Sequence, residues 1–260
     1  QNGDFSQEGS ELITNGDFSS DSDWTKGIGW SISSGKGIAT NTSIDSIYQN
    51  VLTLSKSYKA SFTISSIESG SLKIGIGINF SQEFTEVGTY TYYGTPSNDG
   101  LLRITPSNGT NATIDNVSCV EVGQDWTLGT GVTISGGKAV FTNVSNATQG
   151  IAQSNVAVIG KTYKITFTIS DYNQGAVYII RPTSLGSGSA VSSNGTFTFT
   201  LEAQTSTAFI LFTVGTTTLK IDNISVIEII GDKPRIDYSD SSTEPSLLLE
   251  PQSTNLIPYS

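Results

Sequence analysis

Three segments of the chain recur in the same order at nearly constant spacing, and this duplication constrains the fold more than any other feature. The segment beginning Asp-Trp-Thr at Asp23 returns at Asp125, 102 residues later. KSYKASFTIS returns as KTYKITFTIS after 105 residues, and ATIDNVSCVEV returns as LKIDNISVIEI after 107 residues. The chain therefore contains two copies of a unit that has a common domain size. The slowly growing offset predicts small loop insertions in the second copy.

The repeated segments have the pattern of half-buried β-strands. Tyr58, Ala60, Phe62 and Ile64 alternate with polar residues, and the second copy repeats this alternation. Period-two alternation places one side of a strand on a core and the other side in water. Short strands of this kind, separated by Gly, Ser, Asn and Asp turns, indicate a β-sandwich. We therefore predict an all-β protein made of two tandem β-sandwich domains.

The ends of the chain lie outside the repeated pattern. The motif NGDFS occurs at 2–6 and again at 15–19, while the second copy runs from the last strand of the first copy directly into Asp125 without such a motif. After Ile230 the alternation stops and four of the seven prolines follow, which favours an extended connector. The predicted organisation is a leader or the tail of a preceding module at 1–11, repeat 1 at 12–122, repeat 2 at 123–230 and the connector at 231–260.

Composition excludes several classes of function. The chain has 13 Lys and Arg against 23 Asp and Glu, a net charge of −10 and no His. Nucleic-acid binding needs a clustered basic surface, so we expect no nucleic-acid partner. Without His, catalysis by a Ser/His or Cys/His pair and most zinc chemistry are excluded. No apolar run reaches about 18 residues, so we expect no membrane insertion. The chain begins at Gln1 and has no Met, and we expect it to be a segment of a longer protein.

The repeated units resemble the jelly-roll carbohydrate-binding modules of glycan-degrading enzymes and adhesins. The resemblance rests on NGDF at 15–18, on the following Trp24, and on the last strands IDNVS at 114–118 and IDNISV at 221–226. The tail PRIDYS…PSLLLEPQSTNLIPYS is similar to connectors in virion proteins of tailed, especially marine, bacteriophages. The resemblance implies two tandem jelly-roll sandwiches, followed by the connector and a further domain.

The resemblance also implies a function. It points to a non-enzymatic virion protein on the virion surface, as a tail fibre, spike or capsid decoration, that attaches weakly to host cell-surface polysaccharide. Its partners would be other virion proteins, and a homo-oligomer such as a trimer would be in keeping with a fibre. Two alternatives stay open: a carbohydrate-binding accessory region of a secreted polysaccharide-degrading enzyme, and a spacer without any ligand.

The resemblance further implies a structural calcium ion. In related modules, an Asp of the last strand helps to bind Ca²⁺ together with residues near the N-terminus. The matching residues here are Asp115 with Asp17 in the first repeat, and Asp222 in the second. Ca²⁺ takes six to eight oxygen ligands, several of which can be backbone carbonyls. The alternative is that Asp115 and Asp222 accept backbone N–H groups and close a turn. No other cofactor is expected.

Glycan binding usually needs an exposed aromatic ring with polar groups around it. Repeat alignment places Tyr93 and Tyr178 on the outer sides of strands and Tyr172 in a loop, so these three are the candidate sugar platforms. The alternative is that an outward Tyr is present for its β-propensity. The three tryptophans are predicted to lie in the cores.

Two further groups are candidates for catalysis. Glu83 and Glu86 lie close in sequence, as a glycosidase pair would, but their segment has no counterpart in the second repeat. A solvated loop is the preferred interpretation. Cys119 aligns with Val226 and shares a strand face with Val117, which predicts a small core residue. We therefore predict no catalytic residue and no enzymatic activity.

Overall fold

Two β-sheets account for nearly all of the chain that can be described. The computed structural model describes residues 3–146, 149–180, 190–204, 207–229, 235–237 and 246–248. Within these ranges the regular elements are strands and none is a helix. The described part of the chain therefore holds no helix that is long and apolar enough to cross a membrane. The all-β sandwich class predicted from the sequence is confirmed.

The first unit is a nine-stranded sheet built around two long strands, β6 and β9. The first part of β6 pairs with β8 and with the end of β9, and β1 also pairs with the end of β9. The last part of β6 pairs with β7 and with the start of β9, which pairs in turn with β5 and then β2. The bounds are β1 Glu8–Glu11, β2 Thr25–Lys26, β3 Trp30–Ser33, β4 Lys36–Thr42, β5 Ile47–Asn50, β6 Ser57–Ile76, β7 Asn79–Phe80, β8 Gly88–Gly94 and β9 Leu101–Val122.

The second unit repeats this topology. Its order β10-β13-β16-β12-β11 matches β2-β5-β9-β4-β3 of the first unit, and β14 and β16 take the places of β6 and β9. The bounds are β10 Thr127–Leu128, β11 Val132–Ser135, β12 Lys138–Val144, β13 Gln149–Gln153, β14 Thr162–Ile180, β15 Gly195–Glu202 and β16 Phe209–Glu228. The duplication read from the sequence is thus a duplication of structure.

The long strands change partners at bulges. The register of β6 against β9 shifts repeatedly between Ser61 and Ser71. Gly70 has a φ of +76°, in the left-handed region, and a Cβ there would lie 2.4 Å from the Thr110 hydroxyl oxygen. Bulges increase the local bend of a strand. Each of β6 and β9 can therefore contribute one part to each layer of a sandwich. The Thr110 side chain, fully buried, lies at this bend.

Each unit has its own hydrophobic core. Phe62 and Ile64 of β6 are fully buried in the first, as the alternation predicted. Trp24 and Trp30 are each 7% exposed, whereas Trp126 is half-buried and packs against the second core. The predicted core placement is therefore confirmed for Trp24 and Trp30, whereas Trp126 is only partly buried.

The second unit does have an NGDF segment, and the prediction that it lacks one was wrong. Phe5, from the predicted leader, is 1% exposed and lies in the second core. Its ring centroid is 5.1 Å from that of Trp126, just as Phe18 lies 5.2 Å from Trp24 in the first unit. The motif was missed because it precedes the first unit in the chain instead of the unit to which it packs.

Part of the predicted connector has regular structure. Strand β17, Arg235–Asp237, pairs antiparallel with strand β18, Ser246–Leu248. This two-stranded ladder is separate from both large sheets. The remaining connector residues lie outside the described part of the chain.

Candidate functional site

A row of directly opposed residues crosses the outer face of the first unit. Thr25 faces Tyr48, Tyr48 faces Arg103, Arg103 faces Gly75, and Gly75 faces Phe80. Directly opposed residues of an antiparallel sheet share a face. Tyr48 and Phe80 stand three strands apart, about 14 Å at the usual strand spacing. These five residues are called the Tyr48 row below.

The sequence creates this face by alternation along each strand. The neighbours of the row residues along β6 and β9, and Ile47 before Tyr48 on β5, point the other way, into the core, and are fully buried. These neighbours are Ile47, Ile74, Ile76, Leu102 and Ile104. Their burial fixes the register of the strands, because a slip of one residue would exchange the two faces. The core therefore holds the side chains of the row on the outer face.

Gly75 leaves room for the Phe80 ring over the sheet. A Cβ at this position would meet the Phe80 ring at 2.6 Å and Arg103 Cγ at 2.8 Å. The Phe80 ring occupies the space that a side chain would need, while Phe80 itself stays 37% exposed. Lys73 Nζ lies 5.0 Å and Arg103 Cζ 6.0 Å from its centroid. Both cations are within reach of a cation–π interaction with the ring.

Arg103 is the polar centre of the row. Its Nη2 donates to Asp99 Oδ2 at 2.6 Å, and its side chain is 18% exposed. Its Nε is buried and has no hydrogen-bond partner among the described residues. Partial burial raises the pKa of Asp99, but the hydrogen bonds from Arg103 and from the Leu101 N–H outweigh it, so the pKa lies below its usual value. A charged donor thus stands between two aromatic residues, with the charged acceptor Asp99 bound to it.

The corresponding face of the second unit carries an aromatic pair. Tyr178 faces Phe212 across β14 and β16, and their ring centroids are 6.0 Å apart. Both residues are half-buried. By strand pairing they take the places of Lys73 and Thr105 in the first unit. The predicted platform Tyr178 therefore belongs to an aromatic pair on an outer face.

Tyr93 is placed differently from its predicted role. It lies on the outer side of its own strand, but this side faces the second unit, and Tyr93 packs half-buried against the second core. It also lines a cleft of about 1070 Å³ that has residues of both units in its walls. Phe80 and Tyr92 line the same cleft, so the Phe80 end of the Tyr48 row opens into it.

Tyr172 lies within strand β14 and not in a loop, which corrects the prediction for this residue. Its N–H donates to Asn194 Oδ1 at 2.9 Å and its hydroxyl donates to Gly175 O at 3.1 Å. The ring is half-buried against the second core. Asp171, just before it, has a φ of +50°, which marks the irregularity that the sequence pattern suggested as a loop.

The structure does not gather the three predicted tyrosines into one site. Tyr93 packs between the units, Tyr172 packs on the second core, and Tyr178 pairs with Phe212. The Tyr48 row was missed by sequence reasoning. The alternation of Leu72 to Ile78 leaves Gly75 on the outer face, but only the turn after Ile76 and the pairing of Gly75 with Phe80 bring Phe80 there, and cross-strand pairing was needed to connect both to Tyr48.

The two last-strand aspartates of the calcium hypothesis each bind a lysine. Asp115 Oδ2 accepts from Lys36 Nζ, and Asp222 Oδ2 accepts from Lys138 Nζ at 3.2 Å. The other oxygen of each carboxylate accepts the next backbone N–H, at 2.8 and 2.7 Å. Both carboxylates therefore accept hydrogen bonds from within the protein. This agrees with the alternative interpretation, in which each accepts a backbone N–H and closes a turn.

Asp17 is held in its own turn. Its Oδ1 accepts the Ser19 N–H at 3.1 Å, and hydrogen bonds from Ser19 lower its pKa. Among the described residues no group of three or more acidic, His or Cys side chains is placed to hold a metal ion. Calcium binding at Asp17, Asp115 and Asp222 stays a prediction.

The environments of Glu83 and Cys119 do not favour catalysis. Glu83 Oε2 accepts from the Ser71 hydroxyl at 2.7 Å, and the hydrogen bonds from Ser71 and Ser107 lower the pKa of Glu83. A general acid needs the opposite shift. Cys119 is fully buried, and burial, with the nearby Glu11 carboxylate, raises the pKa of its thiol to about 12. Neither residue is prepared for catalysis, and the absence of enzymatic activity stays a prediction.

Comparison with known proteins gives little beyond the fold. No protein-family model matches the chain, and no curated protein matches it. Among solved structures, the chain is similar to the N-terminal CBM22-1–CBM22-2 tandem domain of Xyn10C from Paenibacillus barcinonensis. The two share 9% identity, the match covers 86% of this chain and 99% of that one, and the TM-score is 0.36. At this TM-score the likeness carries no argument about function.

Proposed function

We propose that this protein is a non-catalytic glycan-binding protein and that its first unit binds a sugar chain along the Tyr48 row. The observation that carries the proposal is the arrangement of two aromatic side chains, Tyr48 and Phe80, on either side of Arg103 on an outer sheet face. Phe80 is held by its neighbours yet remains 37% exposed.

The chemistry of the row fits a sugar. The C–H groups on one face of a pyranose carry partial positive charge and stack on the negative face of an aromatic ring. Sugar hydroxyls both accept and donate, and Arg103 offers donors while Asp99 offers an acceptor. Apolar rings with a few fixed polar groups between them are typical of ligand sites. Because the row ends in the cleft between the units, a chain longer than the row has a path beyond Phe80.

The test is a glycan array followed by calorimetry with the full chain. Phe80→Ala and Tyr48→Ala should each weaken binding of the selected glycan about tenfold, which corresponds to ~1.4 kcal/mol. Val87→Ala is the matched control, since Val87 is 63% exposed and lies outside the row. Tyr178→Ala reports on the face of the second unit. Binding that survives both row substitutions but is lost in Tyr178→Ala would move the site to the second unit.

We further propose that the protein acts on the surface of a phage particle, as a tail fibre, spike or head decoration, attaching it to host polysaccharide. Support comes from the resemblance of residues 231–260 to virion connectors and from strands rich in Ser and Thr, of which the chain has 38 and 33. Immuno-electron microscopy on purified phage particles, with antibody against residues 12–230, tests this. Label on fibres supports attachment, and label over the capsid supports decoration.

The competing proposal is an accessory region of a secreted polysaccharide-degrading enzyme. Both proposals use the same glycan site, so binding data do not separate them. Absence of label on any particle, together with a hydrolase domain encoded downstream of Ser260, would favour the enzyme. If the folded protein binds no glycan on the array, the spacer without a ligand would be the remaining interpretation.

A further inference from the structure

Residues 3–6, called the clip below, have the same backbone conformation as residues 16–19 of the first unit. Phe5 and Phe18 have φ angles of +51° and +52°. A bulky residue with positive φ is a rare outlier that persists only where its surroundings enforce it. In each segment the Asp before the Phe accepts the N–H of the residue after it, Ser6 at 3.2 Å and Ser19 at 3.1 Å.

The clip docks on the second unit as residues 16–19 dock on the first. Gly3 O accepts the Ile224 N–H at 2.8 Å, and Gly16 O accepts the Val117 N–H at 2.9 Å. The approach is close enough to require glycine. A Cβ on Gly3 would lie 1.9 Å from Ile224 O, and a Cβ on Gly16 would lie 2.1 Å from Val117 O.

The clip leaves the second unit almost at once. Strand β1 begins at Glu8, which pairs with Val122 at the end of the first unit. One residue, Gln7, therefore joins the clip to a strand of the other unit. Phe5 packs in the core of the second unit and Gly3 O accepts the Ile224 N–H, so the clip is held by residues more than 100 positions away along the chain.

We infer that the second unit contains a peptide-binding groove, formed between Trp126 and Ile224, whose ligand is the sequence Gly-Asp-Phe-Ser. In the intact chain its occupant is the clip. The second domain is then discontinuous, made of residues 3–6 and 123–229 with the first unit inserted between them. Because the contacts are non-covalent, the same sequence supplied on a separate peptide fills the groove once the clip is displaced. This inference does not depend on glycan binding.

The test uses the full chain with the substitution Gly3→Ala, whose Cβ clashes with the backbone at Ile224. Hydrogen exchange should show loss of protection at the Ile224 amide, while Val117 stays protected. A labelled peptide of residues 1–7 should bind this variant saturably and restore the protection. The same peptide with Ala in place of its Gly should do neither. The wild type should not take up the peptide at micromolar concentration, since a tethered clip has an effective concentration near millimolar.

Gly16→Ala is the matched control. It should expose the Val117 amide and leave Ile224 protected, because the same clash then falls in the first unit. Continued protection of Ile224 in Gly3→Ala would overturn the inference, as would a folded variant that takes up no peptide.

A second experiment avoids the risk that Gly3→Ala does not fold. A protease site is inserted between Ser6 and Gln7, and the folded chain is cut there. The released clip should stay bound during gel filtration and exchange with the labelled peptide. Loss of the clip on cutting, with unchanged exchange at Ile224, would contradict a peptide-binding groove.

Discussion

The Thr110 hydroxyl stabilises the bend of the two long strands in the first unit. Thr110 is fully buried, and its Oγ1 accepts the N–H groups of Ser71 and Ser107, both at 3.2 Å. The carbonyl oxygens of the same two residues lie 2.8 and 2.7 Å from Oγ1, so the hydroxyl also donates to one of them. The Thr110 side chain thus forms hydrogen bonds with two backbone segments where β6 and β9 bulge.

Thr110→Val should destabilise the first unit by about 3 kcal/mol. Valine keeps the shape of threonine but removes the acceptor of the buried Ser71 N–H and of the half-buried Ser107 N–H, and an unsatisfied buried group costs about 1–3 kcal/mol. Thr217 is the matched site in the second unit, equally buried. Its hydroxyl contacts the carbonyls of Ala176, Val214 and Gly215 at 3.2–3.4 Å. A carbonyl keeps a second lone pair for other donors, so Thr217→Val should cost only ~1 kcal/mol.

Differential scanning calorimetry of the full chain measures both effects. For a unit of this size, 3 kcal/mol corresponds to a fall in Tm of roughly 12 °C, against about 4 °C for Thr217→Val. Thr110→Ser keeps the hydroxyl and should recover most of the loss. Equal shifts for Thr110→Val and Thr217→Val, or no recovery in Thr110→Ser, would refute the assignment of the cost to the two N–H groups.

Two further predictions concern the lysine-bound aspartates and the buried thiol. If Lys36 takes the place of an ion at Asp115, as the alternative interpretation requires, the Tm should be the same in EGTA and in millimolar CaCl₂. A rise of several degrees with CaCl₂ that Asp115→Asn abolishes would support the calcium hypothesis instead. Because burial raises the pKa of Cys119 to about 12, the folded protein should resist a thiol reagent at pH 8 and react fully in denaturant. Labelling of the folded chain at the rate of a free thiol would show that the first core is open.

The sequence predicted the fold well because the period-two alternation of the strands is visible locally along the chain. The alternation of β6 and its copy in β14 are visible along the chain, and burial follows them. The internal repeat then fixes which strands correspond. The positions of Tyr172 and of the clip were not predictable in this way. Tyr172 follows a residue with positive φ inside a continuous strand, and the clip precedes the unit to which it packs.

The candidate site could not be read from the sequence because it depends on pairing across strands. Tyr48, Arg103 and Phe80 come from three separate strands and share a face only in the observed register. Repeat alignment predicts which tyrosines point outward from their own strand, but it does not show which other part of the protein covers them. Tyr93 is outward within its own unit, but the second unit packs on it.

The two copies differ where the proposed site lies. The ion pairs that join strands recur, for Lys56 with Glu121 and Lys161 with Glu228 are both 2.8 Å apart. These shared ion pairs belong to the fold that the two units have in common. On the outer face, strand pairing places Ile210 where the first unit has Arg103.

The second face therefore has the aromatic rings of Tyr178 and Phe212 without the charged donor between rings. An apolar pair can stack on a sugar but offers little to orient its hydroxyls. If both units bind glycans, the second should discriminate less between sugars that differ in hydroxyl configuration. On this reasoning the groups that orient a sugar lie in the first unit, and the second face offers only area for stacking.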